Sequence, residues 1–188
     1  TLIWDESRPV GSDTVLNTLP AGLAPFTANF ADNFSAPVYG SDGPGNTAYK
    51  LVLTGSNVAS GLFALDPTDT SAGDGDGIGQ GTQIVLNQSG NVITGSANGT
   101  TYFTITIDPI SGNVTFTQSN NIWHSNTGNP DDPATLTAAA GALQLVQTIT
   151  DADGDSVNTP LDLSTGAFTI PDSGSTAVPV IAGAYTPL

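Results

Sequence analysis

The chain has 188 residues, 17 of them Asp or Glu and only 2 Lys or Arg, for a formal net charge of -15 and a pI ≈ 4.1. That balance excludes nucleic acid as a partner, because there is no basic surface to neutralise phosphates, and it disfavours an anionic membrane surface for the same reason. The absence of cysteine excludes disulfides, the 38% hydrophobic share excludes a disordered acidic tail, and no apolar run is long enough to cross a membrane.

No basic and apolar leader opens the chain, and Thr1-Leu2-Ile3-Trp4 reads as a mid-protein start. The chain is therefore expected to be cut from a longer protein whose export signal lies elsewhere. Asp5-Glu6 follow at once, where a neighbouring domain would meet this one. They are candidate calcium ligands at a junction, or ordinary surface charges. Thr47–Thr54 alternates in part and stops at Gly55, as a strand does. Asp66 to Gly81 is rich in Gly and Asp with no apolar period. It is a long loop, an ion-binding loop, or a point where another module is inserted. Gln83–Gln88 is short and β-prone. Thr100–Ile107 is the clearest strand, rich in β-branched and aromatic residues. The turn-forming stretch Asp108–Asn113 and the alternating Val114–Gln118 complete a β-hairpin.

Pro133–Leu143, with alanines at Ala138, Ala139 and Ala140, holds the only stretch fit for a turn or two of helix. Leu143–Thr150 alternates as a strand and leads into the acidic run Asp151-Ala152-Asp153-Gly154-Asp155-Ser156. Gly166–Ile170 reads as a closing strand. With 22 Gly and 13 Pro between short strands, the expected fold is an all-β antiparallel β-sandwich with long calcium-binding loops and little or no helix. The domain is expected over residues 1–172. Residues 173–188 then form a linker or a final strand through Val178–Ile181 into a following domain.

Asp151, Asp153 and Asp155 place three carboxylates at alternate positions around a glycine. Such groups repel one another unless a cation lies between them, and Ca²⁺ accepts several carboxylate and carbonyl oxygens in a flexible shell. The spacing resembles the start of an EF-hand loop, with Asp162 at its twelfth position. The match fails at Ser156, where that loop needs glycine, and the flanks are strands rather than helices. A solvated acidic turn is the plainer alternative. Asp66, Asp69, Asp74 and Asp76 form a second acidic cluster, either a single calcium site or a mobile loop. Asp131-Asp132 reads as a turn.

Catalysis finds little support, and the chain is expected not to be an enzyme. His124 is the only histidine, no serine stands in a nucleophile elbow, and a zinc site cannot be assembled. Trp123 and Tyr102 can stack on a sugar, but core packing is their simpler role. Thr104, Thr106, Thr115 and Thr117 hint at an ice-binding ladder and read more simply as strand composition.

Several stretches in series carry a family resemblance: Tyr49–Gly55, Gly79–Leu86, Ile107-Asp108-Pro109 with Gly112, Asn121–His124, and Gln147–Ser156. Together they resemble domains of the very large repeats-in-toxin adhesins of Gram-negative bacteria, over roughly residues 1–172. The resemblance implies a type I secreted, extracellular protein held at the bacterial cell surface and used in attachment and biofilm formation. Its domains would be calcium-stiffened β-sandwiches, some hosting inserted ligand-binding modules. Such domains often end in Ile-x-Asp-Asp-Gly-Pro, whereas this chain has Ile170-Pro171-Asp172-Ser173-Gly174-Ser175. The expected function is thus a calcium-stabilised structural or module-presenting domain. The alternative is a calcium-dependent, lectin-like carbohydrate-binding module. The expected partners are neighbouring domains of the same adhesin or an inserted module, with the chain itself monomeric.

Overall fold

Period-2 alternation is strongest in Thr100–Ile107, and there the computed structural model, which describes residues 2–3, 25–71, 75–126 and 132–171, has a strand with one dry face. Phe103, Ile105 and Ile107 are buried, while Tyr102, Thr104 and Thr106 stand on the other face. In chain order the strands are β1 (Leu2–Ile3), β2 (Phe26–Asn29), β3 (Pro44–Leu53), β4 (Val58–Leu65), β5 (Gln80–Ser89) and β6 (Val92–Ala97). There follow β7 (Thr100–Ile107), β8 (Asn113–Gln118), β9 (Pro133–Thr137), β10 (Leu143–Asp151), β11 (Ser156–Asp162) and β12 (Thr165–Pro171). The described residues contain no α-helix, only a 3-10 turn at Ala31–Asn33.

The strands form an all-β, sandwich-like fold. One layer is a six-stranded antiparallel sheet in the order β2-β8-β7-β6-β5-β4. Facing it are two three-stranded sheets, β11-β10-β3 and β1-β12-β9. The expected hairpin is β7–β8, with Ile105 opposite Phe116 and Thr106 opposite Thr115. Within the large sheet Phe103 stacks on Phe116 at 4.9 Å, and Phe116 crosses to the other layer to meet Phe168 of β12 at 5.8 Å. Burying one such side chain stabilises by roughly 1.5–3 kcal/mol. Gly95 lies opposite Phe103 and makes room for it, since a Cβ there would collide with the ring. Polar links cross the sandwich as well. The Gln88 side chain of β5 accepts from the Leu53 amide at 2.6 Å and donates to the Leu51 carbonyl at 2.8 Å.

Pro133–Leu143 forms β9 and a turn instead of helix. Leu136 is fully buried, and Ala134 and Thr137 pair with Ile170 and Thr165 of β12. Burial and pairing at this edge outweigh the modest helix preference of three alanines. On the outer face of the large sheet Thr104 faces Thr117, and Thr115 faces both Thr106 and Thr27. The Thr27 and Thr115 hydroxyls bond one another at 2.7 Å. The acidic run forms the tip of the β10–β11 hairpin, and β3 lies along the other side of β10.

Candidate metal centre

The ladder between β3 and β10 runs from Leu53 opposite Leu143 to Asn46 opposite Thr150, then slips at a bulge so that Asp151 faces Pro44. The slip lays the turn before β3 against the hairpin tip. Gly43 adopts φ 91, its amide donates to the Gly40 carbonyl at 3.3 Å, and its carbonyl accepts from the Ala152 amide at 3.2 Å. Gly45 allows this contact, because a Cβ there would collide with the carbonyl oxygens of Thr150 and Asp151. The turn delivers Asp42 to the acidic run.

Asp42, Asp151 and Asp153 each offer a carboxylate oxygen, and these atoms all lie within 4.8 Å of one another. Three oxygens so spaced share a point no more than about 2.8 Å from each, close to the roughly 2.3–2.6 Å at which calcium binds oxygen, so a small adjustment lets one ion reach all three. The Oδ2 atoms of Asp42 and Asp151 lie 3.8 and 3.9 Å from the place where a Cβ would stand on Gly40. Asp151 is the fixed member of the group. Its Oδ1 accepts the amides of Asp155 at 2.9 Å and Gly154 at 3.1 Å, and its own amide donates to the Asp155 carbonyl at 3.0 Å. Gly154 takes φ 104 in the same turn. The Asp153 carboxyl beside it holds Asp151 below the ordinary carboxylate value, helped by the amides of Asp155, Gly154 and Asp153. Lys50 stands opposite Val146, well up the ladder from this cluster.

The other sequence candidates fall elsewhere. Asp155 is exposed at the same tip and lines the neighbouring cleft, outside the three-carboxylate group. Asp162 lies at the far end of β11, opposite Gln144, so the twelfth-position analogy does not bring it to the tip. There its carboxylate binds the Ser164 amide at 2.8 Å and the Gly141 amide at 2.9 Å. The Ser164 hydroxyl, then these amides, hold it below the ordinary value.

Asp66 and Asp69 organise a turn of their own. Asp66 Oδ1 accepts the Thr68 hydroxyl at 2.6 Å and its amide at 2.9 Å, while Asp69 accepts the amides of Ser71 at 3.1 Å and Gly79 at 2.9 Å. Trp123 clamps the loop's return: its indole N–H donates to the Ile78 carbonyl at 2.9 Å, and its ring meets Phe63 edge-on at 6.1 Å. Asp76 is exposed beyond that turn. Asp5, Glu6, Asp74, Asp131 and Asp172 lie outside the described residues, as do residues 173–188. His124 faces the Asp132 carbonyl through Nδ1 at 2.8 Å, a structural contact at a loop edge.

Asp42 was not among the sequence candidates. It lies more than a hundred positions from Asp151, and its only local signal is the turn-forming run Gly40-Ser41-Asp42-Gly43-Pro44-Gly45.

Fold and site together define an all-β, sandwich-like domain with, among the described residues, one convergent carboxylate group at a hairpin tip. Residues 1–164 match the family described as a domain of unknown function, DUF5801, and the chain belongs to that family. No curated protein and no solved structure matches it.

Proposed function

We propose that this is a calcium-stabilised structural domain of a large secreted bacterial adhesin, presenting neighbouring or inserted modules rather than acting on a substrate. The observation that carries the reading is the meeting of Asp42, Asp151 and Asp153 within 4.8 Å, in a chain of net charge -15. Three carboxylates so placed are costly to hold together in water and become favourable when one hard cation replaces their mutual repulsion. The likeness to repeats-in-toxin adhesin domains supplies the setting, an extracellular one where calcium is abundant.

Calcium that binds only the folded form stabilises it by about 4 kcal/mol at a thousand times its dissociation constant. For a chain of this size that is a rise in Tm of roughly 8–16 °C. Thermal melts in millimolar CaCl₂ and in excess chelator test this, with calorimetric titration to count the ions. Superimposable melts would remove the metal from the account.

A further inference from the structure

Beside the carboxylate group a cleft of about 540 Å³ opens between the loop before β3 and the β10–β11 hairpin. Val38, Tyr39, Ile149 and Val157 line it together with Asp151 and Asp155. Val38 is 90% exposed and Val157 65% exposed, although both are apolar. The two aspartates differ. Asp151 is engaged by the amides of its own turn and by Asp42 and Asp153. Among the described residues nothing donates a hydrogen bond to the Asp155 carboxylate, whose residue joins the turn only through its backbone. The cleft is therefore an aliphatic and aromatic trough ending at an anion that the fold leaves unused.

We propose that this cleft receives an arginine side chain from a basic partner protein. An alkyl stem with a cationic, planar head matches the apolar side chains, the Tyr39 ring and the Asp155 carboxylate of the lining, and leaves room beside Gly40 and Ser156 for the partner's backbone. The methylenes lie along Val38, Ile149 and Val157, the guanidinium meets the Tyr39 ring, and its forked donors pair with Asp155. Charge complementarity decides the source. This chain has only Arg8 and Lys50 as bases against 17 acids, so a second copy is repelled and a partner of opposite charge is drawn in. Asp151 belongs both to this lining and to the three-carboxylate group, but Asp155, the carboxylate the arginine would pair with, stands outside that group.

The test is an NMR titration of the labelled full chain with a capped Gly/Ser peptide carrying one arginine, and with the same peptide carrying citrulline, its neutral isostere. Saturable shifts at Val38, Tyr39, Ile149 and Val157 are expected with the arginine peptide. Binding of the citrulline peptide should be weaker by about ten-fold or more. Asp155→Asn, which breaks no hydrogen bond within the fold, should reduce the arginine peptide to the citrulline level while weakening calcium far less than loss of Asp42, Asp151 or Asp153 does. Each titration is run in chelator and in saturating calcium. Absent shifts, shifts elsewhere, or equal binding of the two peptides would overturn the proposal. So would loss of the peptide on adding calcium, which would assign Asp155 to the metal instead.

Discussion

Asp42 and Asp162 are both exposed aspartates beside a strand end, yet their surroundings assign them opposite roles. Asp42 brings a carboxylate oxygen within 4.8 Å of two others, where one cation can bridge all three. Asp162 faces two backbone amides and the Ser164 hydroxyl, so its charge is already satisfied by the fold. Asp42→Asn should therefore weaken calcium binding by ten-fold or more, about one lost carboxylate contact, while leaving the melt in chelator unchanged or slightly higher. Asp162→Ala should do the reverse, lowering Tm equally with and without calcium and leaving the calorimetric affinity where it was. A common response of the two variants would mean that Asp42 is only another turn former. The same contrast separates Asp151 from Asp155. The first is held by amides and the second has only its backbone in the turn, although in the sequence they look alike.

At the scale of elements, the site depends on the slip in the β3–β10 ladder more than on either strand. Gly45 sits where the slip brings the two chains closest, and any side chain there meets the carbonyl oxygens of Thr150 and Asp151. Gly45→Val should push the Asp42 turn away from the hairpin tip. Calcium affinity should fall by at least ten-fold, with the amide spectrum of β7 and β8 unchanged, because their pairing lies in the other layer. Most strands with one dry face were legible in the sequence: β7 has the expected bounds, and β3, β5, β8, β10 and β12 overlap their expected stretches, whereas β6, whose dry face is Ile93, Gly95 and Ala97, was not. β11 was not, because almost every residue on it is exposed and Pro160 interrupts it, so alternation has nothing to report. It stands at a sheet edge, where a missing amide is tolerated. β4 was lost for another reason. Its Gly61 reads as a break, whereas the structure uses it to pass Thr137, with a Cβ there only 2.9 Å from that carbonyl oxygen. The acidic run itself was plain, but its third partner depended on a strand pairing across more than a hundred residues. No local pattern encodes that.

The whole molecule is a small β fold under its own negative field, and two opposing electrostatic effects set its stability. The general effect is repulsion among 17 acids with 2 bases, which any salt screens. The specific effect lies in carboxylates that the fold holds ionised: Asp66 by the Thr68 hydroxyl, Asp108 by the Ile110 amide and Asp162 by the Ser164 hydroxyl. Their folded values lie below the unfolded value of about 3.9, so they contribute stability above that pH. The contribution is lost as pH falls through the lower, folded values. In chelator, then, Tm should stay nearly level from pH 7 to about 4.5 and fall below about pH 4. Sodium chloride at 0.1 M should raise the level stretch by shortening the Debye length to about 10 Å, and leave the acid fall in place. Calcium at 1 mM adds only about 3 mM of ionic strength, too little to screen. A larger rise in Tm at pH 7 from 1 mM calcium than from 0.1 M sodium chloride therefore isolates the carboxylate site from the field. Magnesium, which demands a tighter octahedral shell and releases water reluctantly, should give little of that rise. Equal effects of sodium, magnesium and calcium at matched ionic strength would reduce the cluster to one more part of the field.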